Sequence, residues 1–379
     1  MEIKKNAIVC NSGKNICNLF NINPVDLSDD RIDLNSPQIF IHSIFDLYKN
    51  NFQLTTFLNE DQWCNLRTFK DSILIHENYS ETFDIFYLIG QLVDIVNNHK
   101  IDPKQIYILL ADELHVEAVT TELHLKNIYG INIDFYNRWA LEIPLVDTKL
   151  IAQNKKFSAF SRRFVIHRLH LFFELVKEGL IDQFNYSFNN IDPYEHTVIS
   201  LEDLQNEIIL DNEPYRELLT EWISGIPYRA SNDPKYTNIY SDSVTIPLLS
   251  SDIHLNIETH LEPCQQHPIA WITEKTYRAI VCKKPFLTSS IVNALTYLKK
   301  LGFKTFSPYI DESYDSIIDG SQRRIAIVKE IKRISQLNDD DYQTLLSNCN
   351  HITEYNFQLL LEKRKKMLSN TFKDLGVFK

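Results

Sequence analysis

The sequence predicts an α/β protein with two Rossmann-like domains, and three observations support this class. The chain has 379 residues, more than one ordinary hydrophobic core accommodates. Its hydrophobic fraction of 44% and charged fraction of 23% are typical of a globular protein. Short apolar runs alternate with stretches of helical periodicity. We place an N-terminal domain at 1–150, a C-terminal domain at 151–350 and a final helix at 351–379.

In the first half, apolar runs predict strands, and helical spacing of apolar residues predicts helices at 80–98 and 118–127. IYILLA is apolar throughout and follows a turn at Asp102-Pro103, which favours a central parallel strand. The predicted strands are NAIVC, QIFIHSIFDLY, SILIHEN, IYILLA and INIDFYNRW.

The second half continues the alternation after a polar, basic stretch around 145–156. KKFSAFS, DSVTIPLLSS, IHLNIETH and PFLTSS predict strands, and FKTFSPY extends the same pattern. Helices are predicted up to Gly179, at Ile291–Lys300 and in three successive segments after Gln322.

The stretch Trp271–Pro285, WITEKTYRAIVCKKP, predicts one short helix with a polar start. Thr273 is a suitable N-cap, and the Glu274 carboxylate in the first turn suits the helix dipole. A helix start with threonine, glutamate and Lys275 at its edge can hold a phosphate and a sugar hydroxyl. An ordinary capped surface helix accounts for the pattern equally well.

A basic cluster lies at the predicted strand-to-helix junction of SRRFVIHR and comprises Arg162, Arg163, His167 and Arg168. Arginine near a helix N-terminus is unfavourable against the dipole, and guanidinium groups match phosphate in a bidentate geometry. We therefore favour diphosphate binding over a solvated helix start.

Glu258 ends a predicted strand, where open α/β sheets bind ligands; a solvated strand end is the plain alternative. Sixteen residues later, Glu274 can pair with Arg278 four positions on.

Candidates for a general base follow the strand IYILLA. Asp112 and Glu113 end this strand, and His115 comes just behind them. An N-cap role for Asp112 explains the pattern equally well. His42, after the run IFIH, is a further candidate.

No metal site is predicted. The acidic residues of YIDESYDSI and the aspartates of DDDYQTLL are expected in turns and helix caps, although clustered carboxylates can bind hard cations. Glycine-rich nucleotide motifs are absent from a chain with 8 glycines.

The overall composition argues for a cytoplasmic protein, which would mean the host cytoplasm if a phage encodes it. The start of the chain lacks the pattern of a secretory signal, and no apolar run reaches about 18 residues. A net charge of −11 disfavours nucleic acid as the main partner, and the 6 cysteines have no metal-binding spacing.

Taken in order, SRRFVIHRLHLFFEL, the Glu258-Thr259 pair, TEKTYRAI with KPF, and LGFKTFSPYIDESYD resemble phage-associated and bacterial glycosyltransferases of the GT-B fold. These enzymes are distantly similar to fucosyltransferases and exostosin-type enzymes, which share a T/S-E-K helix. The resemblance covers about residues 155–330.

The resemblance implies two domains facing a cleft and a metal-independent transferase that needs no cofactor beyond a nucleotide-sugar co-substrate. Glu274 would bond the ribose hydroxyls, while Lys275 and the basic turn would face the diphosphate. The N-terminal domain would bind a hydroxyl acceptor, either a glycan or a hydroxymethylated base of phage DNA. The final helix would pack back on that domain.

Two other classes remain open at this stage: a non-catalytic nucleotide-sugar-binding module and a virion-associated structural protein.

Overall fold

Two parallel β-sheets organise the chain in this computed structural model. The structure describes residues 7–9, 25–26, 34–43, 58–78, 85–110, 113–135, 140, 143, 145–146, 155–161, 164–189, 213–228, 247–262 and 272–373. The chain divides into one unit of Met1–Leu141 with Lys363–Lys379 and a second unit of Glu142–Glu362. The α/β class predicted from the sequence is confirmed. The cleft between the domains stays a prediction, as do the predicted domain boundaries.

The first unit contains a six-stranded sheet of order β2-β1-β3-β4-β5-β6, in which every neighbouring pair is parallel. Each strand falls on or beside a predicted apolar run except β2. β5, from IYILLA, lies between β4 and β6, and its burial on both faces explains its apolar composition. The strands are β1 (Ala7–Val9), β2 (Val25–Asp26), β3 (Ile39–Ser43), β4 (Ile73–Asn78), β5 (Ile106–Leu110) and β6 (Asn132–Phe135).

Three described helices belong to the first unit: α1 (Glu60–Thr68), α2 (Ile85–Asn97) and α3 (Glu113–Leu125). Apolar periodicity predicted α2 and placed the start of α3 too late, and α1 corresponds to no predicted helix. α1 begins with a reciprocal cap, because Asn59 accepts from the Gln62 N–H at 2.9 Å and Gln62 accepts from the Asn59 N–H at 3.0 Å. Capping chemistry rather than apolar periodicity thus marks this helix.

The second unit contains a four-stranded parallel sheet of order β10-β9-β7-β8. Its strands are β7 (Lys155–Ser161), β8 (Phe184–Phe188), β9 (Ser251–Ile257) and β10 (Phe286–Ser289). Its helices are α4 (Ile166–Lys177), α5 (Arg216–Ser224), α6 (Glu274–Val281), α7 (Ala294–Lys300), α8 (Gly320–Ser335) and α9 (Asp339–Lys373). No described helix has the length and apolarity that crossing a lipid bilayer requires.

Three predictions for this half were wrong. Residues 247–249 of DSVTIPLLSS are helical rather than extended, and residues 242–246 of this run lie outside the described residues. FKTFSPY forms no strand, since Asn356 and Glu312 side chains accept the Lys304 and Phe306 N–H groups that a sheet partner would need. The last two predicted helices are the single 35-residue helix α9, whose final turns belong to the first unit.

A row of polar side chains alternates with the apolar residues of β9. Asp252 accepts from the Tyr342 hydroxyl at 3.0 Å, His254 Nδ1 lies 2.9 Å from Ser158 Oγ, and Asn256 donates to Thr276 at 3.4 Å. His254 and Asn256 are polar, yet both side chains are buried, because β9 lies inside the sheet between β10 and β7. The row continues to Glu258, which directly follows the strand, and so it leads to the edge where the predicted site lies.

Candidate functional site

The predicted site residues of the second unit lie at the carboxyl ends of its parallel strands. β9 ends at Ile257, and the N–H of Glu258 still bonds to the Ser289 carbonyl of β10 at 2.9 Å. Helix α6 packs on β9 and begins beside Glu258. Open α/β sheets bind their ligands at this edge.

Glu258 joins the end of β9 to the first turn of α6. Its carboxylate accepts from the Thr273 hydroxyl at 2.6 Å and from the Thr276 hydroxyl at 2.9 Å. The side chain is buried, with 2% exposure of the residue. Burial raises the pKa of Glu258; the charge of Lys275 opposes this effect, and Glu274 adds to it. Glu258 therefore holds the helix start in place rather than facing solvent as a free strand-end charge.

Glu274 and Lys275 form an ion pair at the start of α6. Lys275 Nζ donates to Glu274 Oε1 at 2.9 Å and to Thr273 Oγ1 at 3.1 Å. Burial favours the neutral form of Glu274, but the charge and hydrogen bond of Lys275 and the charge of Arg278 outweigh it, so that its pKa falls to about 2. Glu274 is 7% exposed, and among the described residues its Oε2 has no hydrogen-bond partner. An ionised carboxylate oxygen thus lies buried with its acceptor capacity unused.

The start of α4 contacts the backbone of the same Glu258. His167 Nε2 lies 3.4 Å from the Glu258 carbonyl oxygen, and the Arg168 guanidinium donates to that oxygen at 3.3 Å. Because a carbonyl only accepts, the His167 bond needs the tautomer with hydrogen on Nε2. Burial and the charge of Arg168 together lower the pKa of His167 to about 3, despite the opposing effect of the bond to the Glu258 carbonyl. His167 is therefore neutral.

The structure brings together five residues that the sequence singled out, around the end of β9. They are Arg168, Glu258, Thr273, Glu274 and Lys275. Arg278 is buried further along α6, where its charge adds to the lowering of the pKa of His254 by burial and opposes the rise that burial causes in the pKa of Cys282. Thr276, His260 and Arg324 also lie in this neighbourhood. Thr276 lies within the TEKTYRAI stretch, whereas no motif in the sequence marks His260 or Arg324, whose importance arises from packing between separate elements.

The remaining candidates lie elsewhere. Arg162, Arg163 and Asp112 are outside the described residues. Glu113 begins α3, although its side chain is not described, and His115 is buried within the same helix. His42 lies in β3 next to His76 of β4 in the sheet register.

The acidic stretches have structural partners. Asp315 accepts from the Leu295 and Thr296 N–H groups of α7 at 2.9 and 3.0 Å, and Glu312 accepts from the Phe306 N–H at 2.6 Å. The three aspartates of DDDYQTLL form the first turn of α9. Within the described part of the chain, no group of three or more histidine, cysteine or acidic residues is arranged to hold a metal ion.

Cys282 and Cys349 are free and buried, and burial raises their pKa to about 11 and about 12. Neither buried thiol has the depressed pKa of a reactive cysteine.

Among known proteins, this chain shows similarity of structure rather than of sequence. No protein-family model matches the chain, and no curated protein matches it either. A solved structure described as the glycosylation associate protein (Gap123) complex from Streptococcus agalactiae aligns with a TM-score of 0.35 and 11% sequence identity. The alignment covers 89% of this chain and 55% of that one, so the chain spans about half the length of this neighbour.

Proposed function

We propose that the protein is a glycosyltransferase that moves a sugar from a nucleotide-activated donor to a hydroxyl group of an acceptor. The second unit binds the donor, and the first binds the acceptor, a glycan or a hydroxymethylated DNA base. The observation that carries the proposal is the buried Glu274 carboxylate with its unused oxygen at the start of α6.

A buried ionised oxygen without donors costs free energy on the scale of about 1–3 kcal/mol or more. A ligand that supplies hydroxyl groups removes this cost, and adjacent ribose hydroxyls match a carboxylate that can only accept. Glu274 would then fix the nucleoside end of the donor, as the family resemblance implies.

Positive charge next to the carboxylate suits the other end of the donor. Lys275 Nζ has three hydrogens, two of which bond to Thr273 and Glu274, so one is left for a ligand. The first N–H groups of α6 add the positive end of the helix dipole. When the sugar departs, negative charge develops on the nucleoside diphosphate, and these fixed groups stabilise it.

The direct test is a thermal-shift screen with nucleosides, nucleoside diphosphates and nucleotide sugars. A ligand at one hundred times its Kd should stabilise the protein by about 2.7 kcal/mol. A nucleotide sugar that binds should also be hydrolysed slowly, which separates a transferase from a non-catalytic binding module. Absence of stabilisation by every nucleotide tested contradicts the proposal.

Glu274→Gln is the matching variant, because it preserves shape and removes the charge. We expect it to weaken nucleoside binding by about 1.5–3 kcal/mol, the scale of a charged hydrogen bond. Glu217→Gln is the control, since Glu217 is also a first-turn glutamate but lies exposed on α5.

A further inference from the structure

Arg324, in the second turn of α8, is a buried arginine whose Nε lacks a hydrogen-bond partner within the described part of the chain. The residue is 8% exposed, and no described residue bonds to its Nε. Its neighbour Arg323, by contrast, has hydrogen-bond partners for its guanidinium nitrogens. Arg323 Nε donates to the Ser290 carbonyl at 2.8 Å, and the other two nitrogens donate to loop carbonyls. Two adjacent buried arginines thus differ: one is satisfied by the fold, and the other is not.

The acidic groups near Arg324 are committed to other partners. Glu174 and Asp319 are close enough to raise its pKa, against the larger lowering by burial. Glu174 accepts from Lys177 at 2.8 Å, and Asp319 accepts from the Gln322 N–H at 2.7 Å as the cap of α8. Among the described residues, neither acid forms an ion pair with Arg324. The fold therefore leaves the guanidinium without a bonded anion.

Other basic groups surround the same place. Helix α8 packs against α4 and β10, and Arg324 acts electrostatically on His167 at the start of α4. His260, just after β9, and Arg168 act on His167 as well. The two cationic side chains near the neutral His167 are thus Arg168 of α4 and Arg324 of α8, and a bound anion at the carboxyl edge of the sheet would offset their mutual repulsion.

We propose that Arg324 binds a phosphoryl group at this edge, beside His167 and His260. A guanidinium binds phosphate oxygens through paired, charge-assisted hydrogen bonds. If the proposed function holds, the phosphoryl group belongs to the donor diphosphate; free phosphate or pyrophosphate offers the same chemistry. Arg324 then acts at the opposite end of the ligand from Glu274.

Isothermal titration with inorganic pyrophosphate, uridine diphosphate, guanosine diphosphate and the two free nucleosides separates these sources. Arg324→Met should weaken pyrophosphate binding by about 10- to 100-fold, the range of one charged hydrogen bond. It should leave nucleoside binding unchanged. Lys329→Ala removes one exposed charge from the same helix and should change pyrophosphate affinity less than about twofold.

Stability gives a second readout. Since Arg324 is a buried cation without a bonded anion, Arg324→Met should retain or raise the melting temperature without ligand. A lowered melting temperature with unchanged pyrophosphate affinity would assign Arg324 a structural role and overturn the proposal, as would absence of pyrophosphate binding to the wild type.

The two proposals can fail separately. Pyrophosphate binding that depends on Arg324, without any nucleoside or nucleotide binding, supports the phosphoryl site and contradicts the glycosyltransferase. Nucleotide binding that depends on Glu274 and not on Arg324 supports the glycosyltransferase and contradicts the phosphoryl site at Arg324.

Discussion

The hydroxyl of Thr273 donates to Glu258 Oε2 at 2.6 Å, and this bond ties the N-cap of α6 to the end of β9. The same threonine oxygen accepts from the Lys275 N–H at 3.4 Å, which closes the helix start. Thr273 therefore serves the strand end and the helix at once. Because Glu274 and Lys275 follow it directly, their positions depend on this bond.

Thr273→Val should lower the free energy of unfolding by about 1.5–3 kcal/mol, the scale of a hydrogen bond to a charged group, because the buried Glu258 loses a donor. Urea denaturation monitored by circular dichroism measures this loss. Thr344→Val is the control, because Thr344 lies on the exposed face of α9, and its effect should stay within about 0.5 kcal/mol. Equal effects of both substitutions would show that the bond to Glu258 contributes little.

Stability should fall as the pH drops below about 6.5, the ordinary pKa of histidine, because three histidines are held neutral in the fold. Burial lowers the pKa of His76 to about 4, and burial with nearby cations lowers that of His167 and His254 to about 3. Between these lowered values and the ordinary one, the unfolded chain binds protons that the folded chain does not. The stability present above pH 6.5 is therefore lost progressively as the pH falls toward 4 and 3.

His254→Gln tests one of these groups. The variant should be less stable at pH 7.5, yet its stability should depend less on pH between about 6.5 and 4, by up to about 1.4 kcal/mol per pH unit for one proton. His351→Gln, at an exposed position on α9, should leave the dependence unchanged. An unaltered pH dependence in His254→Gln would mean that folding does not lower the pKa of His254.

The strands of the first unit other than β2 could be predicted because parallel, buried strands consist of apolar runs, as IYILLA does. The start of α6 could be predicted because the Thr273 cap is a local interaction. α1 was missed because its signal is the Asn59 and Gln62 cap, within a helix of mostly polar residues. Local rules thus identified the elements whose signal lies within one segment.

The long-range part of the site was less accessible from sequence. The alternation of polar and apolar residues in β9 is typical of a strand with one solvated face, yet the polar face is covered by α6. Arg323 and Arg324 are adjacent and identical in type, but only the fold determines which one has bonded carbonyls. Such distinctions depend on packing between elements far apart in sequence.

Lys275→Ala should weaken nucleoside diphosphate binding by about 1.5–3 kcal/mol, because it removes the cation nearest to Glu274. Titration calorimetry with the nucleotide from the screen measures the change. Lys300→Ala, at an exposed position on α7, is the control for one lost charge. Wild-type affinity in Lys275→Ala would contradict the donor site at the start of α6.

Sugar transfer should survive chelation. The proposed site neutralises phosphate with Lys275, arginine side chains and a helix N-terminus, while Asp315 is occupied with capping α7. Transfer measured in excess EDTA should remain within about twofold of the untreated rate. Complete loss in EDTA that magnesium or manganese restores would contradict this prediction and point to Asp311 or Asp315 as metal ligands.

The acceptor hydroxyl must lose a proton as it attacks the anomeric carbon, and a positioned base typically contributes about 10²–10⁴-fold to such a step. The candidates follow β5, where Glu113 begins α3 and His115 is buried in the first turn of the same helix. Asp112 precedes the helix.

Glu113→Gln and Asp112→Asn each keep the shape of the side chain and remove the basic oxygen. We expect one of these substitutions to lower the transfer rate at least about a hundredfold while donor affinity stays unchanged. Measuring kcat and the donor Kd of each variant tests this expectation. If both retain near-normal transfer, His115→Gln becomes the deciding variant, and normal transfer in all three would place the base elsewhere or leave the proton to the departing phosphate.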